Sequence, residues 1–443
     1  MPKATDTETA DDGGATPDGR AAPVAGVVVH LEGERPTLRA VLLTDKPLRI
    51  GREAPCDLVL ADGTASKAHA EIAVTRDGFS VRDLGGRNGT FVDGALVKSD
   101  VVSGRPRVVR MGRSVMRLVD DVWPYMEEKV HVRDGYALGI AMRRAYNIIA
   151  QAARAGSTCL IIAESGAGKE HAAKHYFATT GRAKLVPINC GAIAVQLAES
   201  ELFGATKGAY SGAVTDRPGH FGEADRGVIF LDEIGNLPLD LQAKILRAIE
   251  AKEILRVGAT RALRVDVLVV AATNADLEEA VESGVFRMDL YQRLAQTEVK
   301  LPPIRERPEE IPYIVELAVN EVGEVRAHAS LYAECMLRAW CGANVRGLRR
   351  TVGAAARAVR AAQRPDRYVY AKDLAPRARS DAWPTPSTAR QLAPALAAKR
   401  DRPRQGFFQG LEQGKDVAEA AEAVGRSRAW GYAVLAEQSP PKR

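Results

Sequence analysis

The stretch that most narrows the folds open to this chain is Thr158–Glu170. An apolar run, Thr158–Ala163, meets the small-residue segment Glu164-Ser165-Gly166-Ala167-Gly168-Lys169 and then a helical pattern. Strand, small-residue loop and helix in that order are the setting of a phosphate-binding loop. Small residues let backbone N–H groups close around phosphate oxygens. The helix N-terminus adds a favourable dipole, and Lys169 adds a point charge for the β and γ phosphates. Taken alone, the segment also reads as a glycine-bearing turn. Ala163 stands where such loops usually open with Gly, and Glu170 where Ser or Thr usually follows the Lys. If residue 163 needs a positive φ, Ala there costs about 1 kcal/mol, which predicts weakened rather than abolished nucleotide binding.

Two later stretches extend the pattern. Val228–Leu231 is an apolar strand ending in Asp232-Glu233, and Val267–Ala272 is another, followed by Thr273-Asn274. Apolar strands alternating with helical segments predict a parallel sheet wrapped by helices. Ligands bind at the C-terminal edge of such a sheet. There Asp232 would hold Mg²⁺, mostly through water, and Glu233 would polarise an attacking water as general base. Asn274 would bond the γ-phosphate or that water. The plain alternative is a strand that ends in solvated acids.

At 443 residues, with 46% hydrophobic and 27% charged side chains, the chain has room for two to four globular domains. No apolar run approaches the roughly 20 residues of a membrane span. The opening MPKATDTETADDGGATPDG is polar and acidic and lacks the apolar core of a signal peptide, so residues 1–24 read as a disordered tail. Cys56, Cys159, Cys190, Cys335 and Cys341 have neither metal-type nor disulfide-framework spacing, which suits a reducing cytoplasm. Of the net charge of +6, residues from Arg346 onward carry +11, leaving −5 for the rest. A basic C-terminal quarter invites a polyanion; a solvated face with a basic linker is the alternative.

Residues 25–120 predict an all-β sandwich. Short runs such as Gly26–Leu31, Leu38–Leu43, Ala70–Val74 and Val115–Val119 are separated by turn residues such as Arg76-Asp77-Gly78. Three signals lie in its loops: Gly51-Arg52, Ser66-Lys67-Ala68-His69, and Asp83-Leu84-Gly85-Gly86-Arg87-Asn88-Gly89-Thr90. Together they resemble the forkhead-associated domain, whose loops bind phosphothreonine peptides. The resemblance implies that Arg52 and Ser66 grip the phosphate with help from Lys67, that Asn88 holds the ligand backbone, and that His69 braces the loop. A guanidinium and a hydroxyl give charge-assisted bonds to phosphate oxygens. The family usually has Arg at Lys67 and Ser at Gly86. Residues 121–135, with Trp123-Pro124 and mixed charge, read as a short linker.

Beyond them, GAYSGA, LDEI, VVAATN, FRMDLYQRL and LPPIRERPEEIP occur in that order. The set resembles the central domain of the sigma-54-dependent transcription activators, ring-forming ATPases of the AAA+ class. The resemblance implies an α/β ATPase core over 136–305 and a helical lid over 306–375. In this family an acidic residue normally follows the phosphate-loop Lys, as Glu170 does. It further implies that Ala163–Glu170 (Ala163, Glu164, Ser165, Gly166, Ala167, Gly168, Lys169, Glu170) and Arg346 bind ATP. Asn189 would restrain Glu233 until the γ-phosphate is sensed. Arg287 and Arg293 would reach the ATP of a neighbouring subunit, which requires a homo-oligomer, a hexameric ring. Gly208, Ala209, Tyr210, Ser211, Gly212 and Ala213 correspond to the loop that touches sigma-54, with Tyr210-Ser211 where the family usually has Phe-Thr. Near Arg346 the chain carries one residue more before the Asn than the family motif, and Gly347 where the family has Glu.

Residues 376–404, rich in Pro and basic residues, read as a flexible linker. Residues 405–443 resemble the family's C-terminal helix-turn-helix, with Ala420-Ala421 and the turn Gly425. Arg426, Ser427, Arg428 and Tyr432 would then meet DNA at upstream enhancer sites. A small helical dimerisation hairpin is the alternative there. The reading as a whole is a cytoplasmic activator in which ATP hydrolysis remodels sigma-54 RNA polymerase, controlled by a phosphothreonine protein or a Ser/Thr kinase. Two alternatives stay open: a ring ATPase that remodels another target, and an adaptor that binds DNA and phosphopeptide without using nucleotide.

Overall fold

The computed structural model describes residues 22–97, 102–104, 107–126, 129–209, 215–376 and 409. The predicted helix-turn-helix, and with it Arg426, Ser427, Arg428 and Tyr432, lies outside the described residues, as do Tyr210–Ala213. The rest forms two compact bodies. One comprises the described residues of Met1–Ile140 with Pro308–Arg338 and Arg349–Pro376; the other holds Ala141–Arg307 and Ala339–Leu348.

The first body contains a two-sheet sandwich. One sheet runs in the order Arg35–Leu42, Gly26–Glu32, Ser114–Val119, Val108–Met111, Thr90–Val92, Ala95–Leu96. The other runs Leu58–Val59, Leu48–Gly51, Ala70–Thr75, Gly78–Asp83, Val102–Gly104. Side chains alternate across each strand, so Val27 and Val29 enter the inter-sheet core with Ile50, Ile72, Val109 and Met116. Val28, on the opposite face, packs instead with Val119 and Val122. Burial on both faces explains why this strand reads as an unbroken apolar run. His30 is fully buried with both ring nitrogens unpartnered; burial first, and Arg117 second, hold its pKa well below the usual range.

The segment read as a linker is more ordered than a linker. It holds a 3₁₀ turn at Trp123–Tyr125 and the strand His131–Arg133, which pairs with Tyr136–Leu138. Helix begins at Ile140, because Tyr136–Leu138 is committed to that hairpin and the Gly139 N–H to Glu310 Oε1 at 2.7 Å.

The lid elements Ile311–Asn320 and Ala329–Met336 belong to this same body, and the latter helix packs on Val108–Met111 and Ser114–Val119 of the sandwich. His328, the N-cap of that helix, faces Arg110 and Arg113. Burial first, then those two guanidiniums, lowers its pKa from 6.5 to about 4, against a small opposing pull from Asp366. Below pH 6.5 the unfolded chain therefore takes up a proton that the folded one refuses. Stability of this body should fall as pH drops from 6.5, with no further loss from His328 below about 4. Thermal unfolding at about pH 7 and about pH 4.5 should show this, and His328→Gln should remove its share of the difference, buried His30 keeping its own.

The second body is an α/β layer structure. Its five strands are all parallel, in the order Leu185–Asn189, Val228–Asp232, Leu268–Thr273, Cys159–Ile162, Thr297–Lys300. Leu160, Ile188, Ile229, Leu231 and Val269 are buried, with helix Leu239–Glu250 contributing Leu241, Ile245 and Ile249 to the same core. The strand order reverses around Cys159–Ile162, so a crevice is expected beyond its C-terminal end. Among the described residues no helix is long and apolar enough to cross a membrane.

Candidate functional site: a phosphate loop, a carboxylate pair and a phosphopeptide seat

Strand Cys159–Ile162 delivers the chain to the predicted phosphate loop, and helix Lys169–Thr180 leaves it. Ala163 has no positive φ. It prolongs the sheet, its N–H donating to Thr273 O at 3.0 Å, so the expected cost of Ala at this position does not arise. The left-handed residues are Gly166 (φ 74°) and Gly168 (φ 120°). Lys169 is buried, its Nζ on Ala163 O at 3.3 Å. Glu170 turns outward and pairs with Lys174 at 2.8 Å, one helical turn on.

The loop is shaped by residues whose roles the sequence did not disclose. Arg305 grips Glu164 in a two-pronged pair at 2.7 and 3.0 Å and, more than any other group, holds that carboxyl below the usual carboxylate range. Asn344, fully buried, donates to Glu164 Oε2 and Ser165 O, both at 3.0 Å, and accepts from Ile304 N–H at 2.9 Å. Arg307 is equally buried and donates to Ala167 O at 2.7 Å and Pro302 O at 3.0 Å. A Cβ on Gly166 would lie 2.3 Å from Ala343 O, so glycine is required there for space as well as for φ. The extra residue before Asn344 is absorbed by left-handed backbone at Trp340 (φ 54°), Gly342 (φ 76°) and Asn344 (φ 46°). Arg346 then sits against Gly166, and its charge reaches Asp232.

Asp232 and Glu233 end strand Val228–Asp232, with Asn189 beside Asp232 in register. Burial pushes the Asp232 carboxyl above its usual value, and Lys169 is the main opposing influence. Glu233 is in the left-handed region, φ 56°, an arrangement costing on the order of 1–3 kcal/mol that concentrates at functional sites. Its Oε2 accepts from Asn236 Nδ2 at 3.3 Å. Asn189, expected to hold Glu233, instead spends its Oδ1 on Gly191 N–H at 2.9 Å. A Cβ on Gly191 would meet Glu233 Oε2 at 2.7 Å, Asn236 Nδ2 at 2.8 Å and Asn189 Oδ1 at 3.3 Å, so all three side chains converge over that glycine. The Cys190 thiol beside them is pushed up to about 12 by burial first and Asp232 second, and stays protonated at neutral pH.

Asn274 is exposed just past strand Leu268–Thr273. Arg287 is committed to Asp289 by two bonds of 2.7 and 3.0 Å. Arg293, on helix Met288–Leu294, has a buried Nε without a partner. Gly208 (φ 82°) and Ala209 open the loop whose tip lies outside the described residues. The neck of that loop is pinned by reciprocal backbone bonds between Ala205 and Arg217 at 3.1 and 2.8 Å.

In the sandwich, Arg52, Ser66, Lys67 and Asn88 gather at one end. Ser66 Oγ accepts from Arg87 N–H at 3.1 Å, and Asn88 Nδ2 donates to Thr64 O at 2.7 Å. His69 is buried, accepting Ser66 N–H on Nδ1 at 3.0 Å and lying 3.2 Å from Gly89 O through Nε2. A Cβ at residue 86 would sit 2.5 Å from that ring, which accounts for Gly86. Glu53 occupies the cationic seat: it pairs with Arg52 at 3.0 Å and Lys67 at 3.2 Å, and Lys67 first, then Arg52, hold its carboxyl below the usual range. On the expectation that these residues bind a phosphothreonine peptide, Glu53→Gln should tighten that binding about 2- to 5-fold, the scale of exposed ion pairs, in a fluorescence-anisotropy titration.

The family model described as the Sigma-54 interaction domain matches residues 138–300, and the FHA domain model matches residues 48–112. The Nif-specific regulatory protein of Azotobacter vinelandii is 43% identical over 199 residues, 44% of this chain and 38% of that protein. The DNA-binding transcriptional regulator NtrC of Escherichia coli K12 is 42% identical over 219 residues, 48% of this chain and 46% of its own. The chain thus spans less than half the length of either relative. Among solved structures, NtrX from Brucella abortus in complex with ADP is similar at a TM-score of 0.50 and 29% identity, covering 69% of each chain.

Proposed function

We propose that this chain, which carries a sigma-54 interaction domain and a forkhead-associated domain, is a transcription activator that hydrolyses ATP in a homo-oligomeric ring to remodel sigma-54 RNA polymerase. The observation that carries the reading is the meeting of Lys169, Asp232 and Glu233 at the C-terminal edge of one parallel sheet. The likeness to the transcriptional regulator NtrC and to NtrX in complex with ADP supports the same reading.

The donor set fits a nucleotide with Mg²⁺. Among the described residues no group of three or more His, Cys, Asp or Glu could hold a metal by itself. One half-buried carboxylate, Asp232, is what a cation already carried on phosphate oxygens needs. When bound, Mg²⁺ would neutralise charge on the β and γ oxygens. The chain supplies the rest. Backbone N–H groups of residues 165–169 cradle the phosphates, and Lys169 gives up Ala163 O to reach them. Glu233 takes the proton of the attacking water, while Asn236, Asn189 and Asn274 position it. Arg346 reads the nucleotide from the lid side. Arg293 and, after leaving Asp289, Arg287 serve the neighbouring subunit's site.

On this reading Tyr210-Ser211 presses on sigma-54, residues 405–443 bind enhancer DNA, and the sandwich admits phosphothreonine as the control signal. A mixing experiment tests the ring. Arg293→Ala and Glu233→Gln, each inactive alone, should regain part of the ATPase rate when combined, since intact finger and intact base then share some boundaries. No recovery at any ratio would contradict an arginine acting in trans. Tyr210→Ala should keep ATPase activity yet lose promoter output; sparing both would favour a different remodelling target.

A further inference from the structure

The sandwich receives the chain at one end and carries the phosphopeptide seat at the other. Trp123 Nε1 donates to Ala22 O at 3.0 Å, Val122 N–H to Val24 O at 2.8 Å and Leu43 N–H to Ala25 O at 2.9 Å, so residues 22–25 carry on the line of strand Gly26–Glu32. At the far end of that strand Glu32 Oε1 accepts Ala61 N–H at 2.9 Å. The turn that follows Ala61 touches the seat. Arg52 Nη1 donates to Gly63 O at 3.3 Å and Asn88 Nδ2 to Thr64 O at 2.7 Å. At about 3.3 Å per residue, Ala22 and Glu32 stand about 33 Å apart.

The seat already holds an anion of its own. Glu53 bridges Arg52 and Lys67, and Ser66 Oγ, which accepts Arg87 N–H, keeps its own proton to donate. A phosphothreonine brings about −1.5 to −2 charges and three acceptor oxygens against one carboxylate, so it displaces Glu53.

Residues 1–21 lie outside the described residues and precede the opposite end. Their sequence alternates threonine with acid, Thr5-Asp6-Thr7-Glu8-Thr9, and goes on to Ala10-Asp11-Asp12. With five acids and two bases, the segment is opposite in sign to Arg52, Lys67 and the exposed Arg87 around the seat. Reach selects among its threonines. Thr16 stands six residues before Ala22 and spans at most about 21 Å, short of the seat. Thr9 stands thirteen residues before Ala22 and spans up to about 45 Å, enough to arrive.

We propose that Thr9, once phosphorylated, is a ligand of the seat on its own sandwich. A protein kinase would transfer the γ-phosphoryl group of ATP to Thr9 Oγ1: the new O–P bond forms, the anhydride P–O bond breaks, ADP leaves and the hydroxyl proton is released. The inference rests on the reading of Arg52, Ser66, Lys67 and Asn88 as phosphothreonine contacts, and names the segment they take. The short connection holds that segment at an effective concentration of about 1 mM, so the seat closes to other phosphopeptides while Thr9 is phosphorylated.

The test uses the full chain, unmodified or with phosphothreonine genetically encoded at residue 9 or at residue 16. One labelled probe is a peptide of residues 1–21 phosphorylated on Thr9; a second is a pool of phosphothreonine peptides with random flanks. Binding is followed by fluorescence anisotropy. The unmodified chain should bind the first probe, and Arg52→Ala should weaken that binding at least about 10-fold. Phosphothreonine at residue 9 should weaken probe binding at least about 10-fold at every chain concentration, for any probe Kd below about 100 μM. Phosphothreonine at residue 16 should leave it within about 2-fold. A first probe that fails where the pool binds, or binding indifferent to phosphothreonine at residue 9, overturns the inference and leaves the phosphopeptide reading standing. Blocking that grows with chain concentration places the segment in a second copy and overturns its assignment to its own seat. Failure of both probes on the unmodified chain removes that reading and the inference with it.

Discussion

Glu233→Gln is expected to bind ATP as well as the native chain does and to hydrolyse it at least about 100-fold more slowly, the lower bound for losing a general base. The amide keeps the shape and the hydrogen bond with Asn236, whose own amide can turn to suit it, but it cannot accept a proton. The left-handed backbone at residue 233 is unaffected, so the fold should be as stable as before. Asn236→Ala makes an informative companion. If Asn236 positions the carboxylate, its loss should lower the hydrolysis rate while leaving the nucleotide KM nearly unchanged. Steady-state hydrolysis together with equilibrium binding of a fluorescent nucleotide separates the two effects.

The second large effect is expected at Asn344. Replacing it with Ala strips the Ile304 N–H of its acceptor inside the protein, and an orphaned buried donor costs about 1–3 kcal/mol. Ser165 O and Glu164 lose a donor at the same time. Ala must also adopt the left-handed backbone that Asn tolerates, adding about 1–2 kcal/mol. Asn344→Ala should therefore destabilise the protein by about 3 kcal/mol in chemical denaturation and weaken nucleotide binding more than about 10-fold, because the freed residues are the phosphate loop itself. Asn344→Gly separates the causes: it relieves the backbone strain but leaves the same groups unpaired, so it should recover about 1 kcal/mol and little of the nucleotide affinity.

The parallel sheet and most of the sandwich were legible because side-chain alternation and apolar runs are local signals. The runs Gly26–Leu31 and Ala70–Val74 lie within the strands Gly26–Glu32 and Ala70–Thr75. The strands Ala95–Leu96 and Val102–Gly104 gave no such signal; each is two or three residues long and sits at a sheet edge. The left-handed turns at Gly166 and Gly168 and the charge of Lys169 were legible, since φ and charge are properties of single residues. What shapes the loop was not. Glu164 is held from Arg305 and Asn344, Ala167 from Arg307, each well over a hundred positions away in the chain. Only the fold brings them together. The contact of Asn236 with Glu233 escaped the sequence for a similar reason: the turn after Glu233 swings that amide onto the carboxylate, while Asn189 bonds Gly191 N–H. The lid was read as part of the ATPase, yet most of it packs with the sandwich, because Ala329–Met336 buries its apolar face on sandwich strands.

The central claim is that nucleotide cleavage by this chain moves a polymerase. Its most direct measurement is open-complex formation by sigma-54 RNA polymerase on a supercoiled sigma-54 promoter, followed by permanganate footprinting with purified protein and ATP. The account predicts strand opening with ATP, none with a non-hydrolysable analogue, and none with Glu233→Gln at equal nucleotide occupancy. Opening that proceeds equally with the analogue or with Glu233→Gln would contradict it, as would ATP hydrolysis at full rate with the promoter closed throughout.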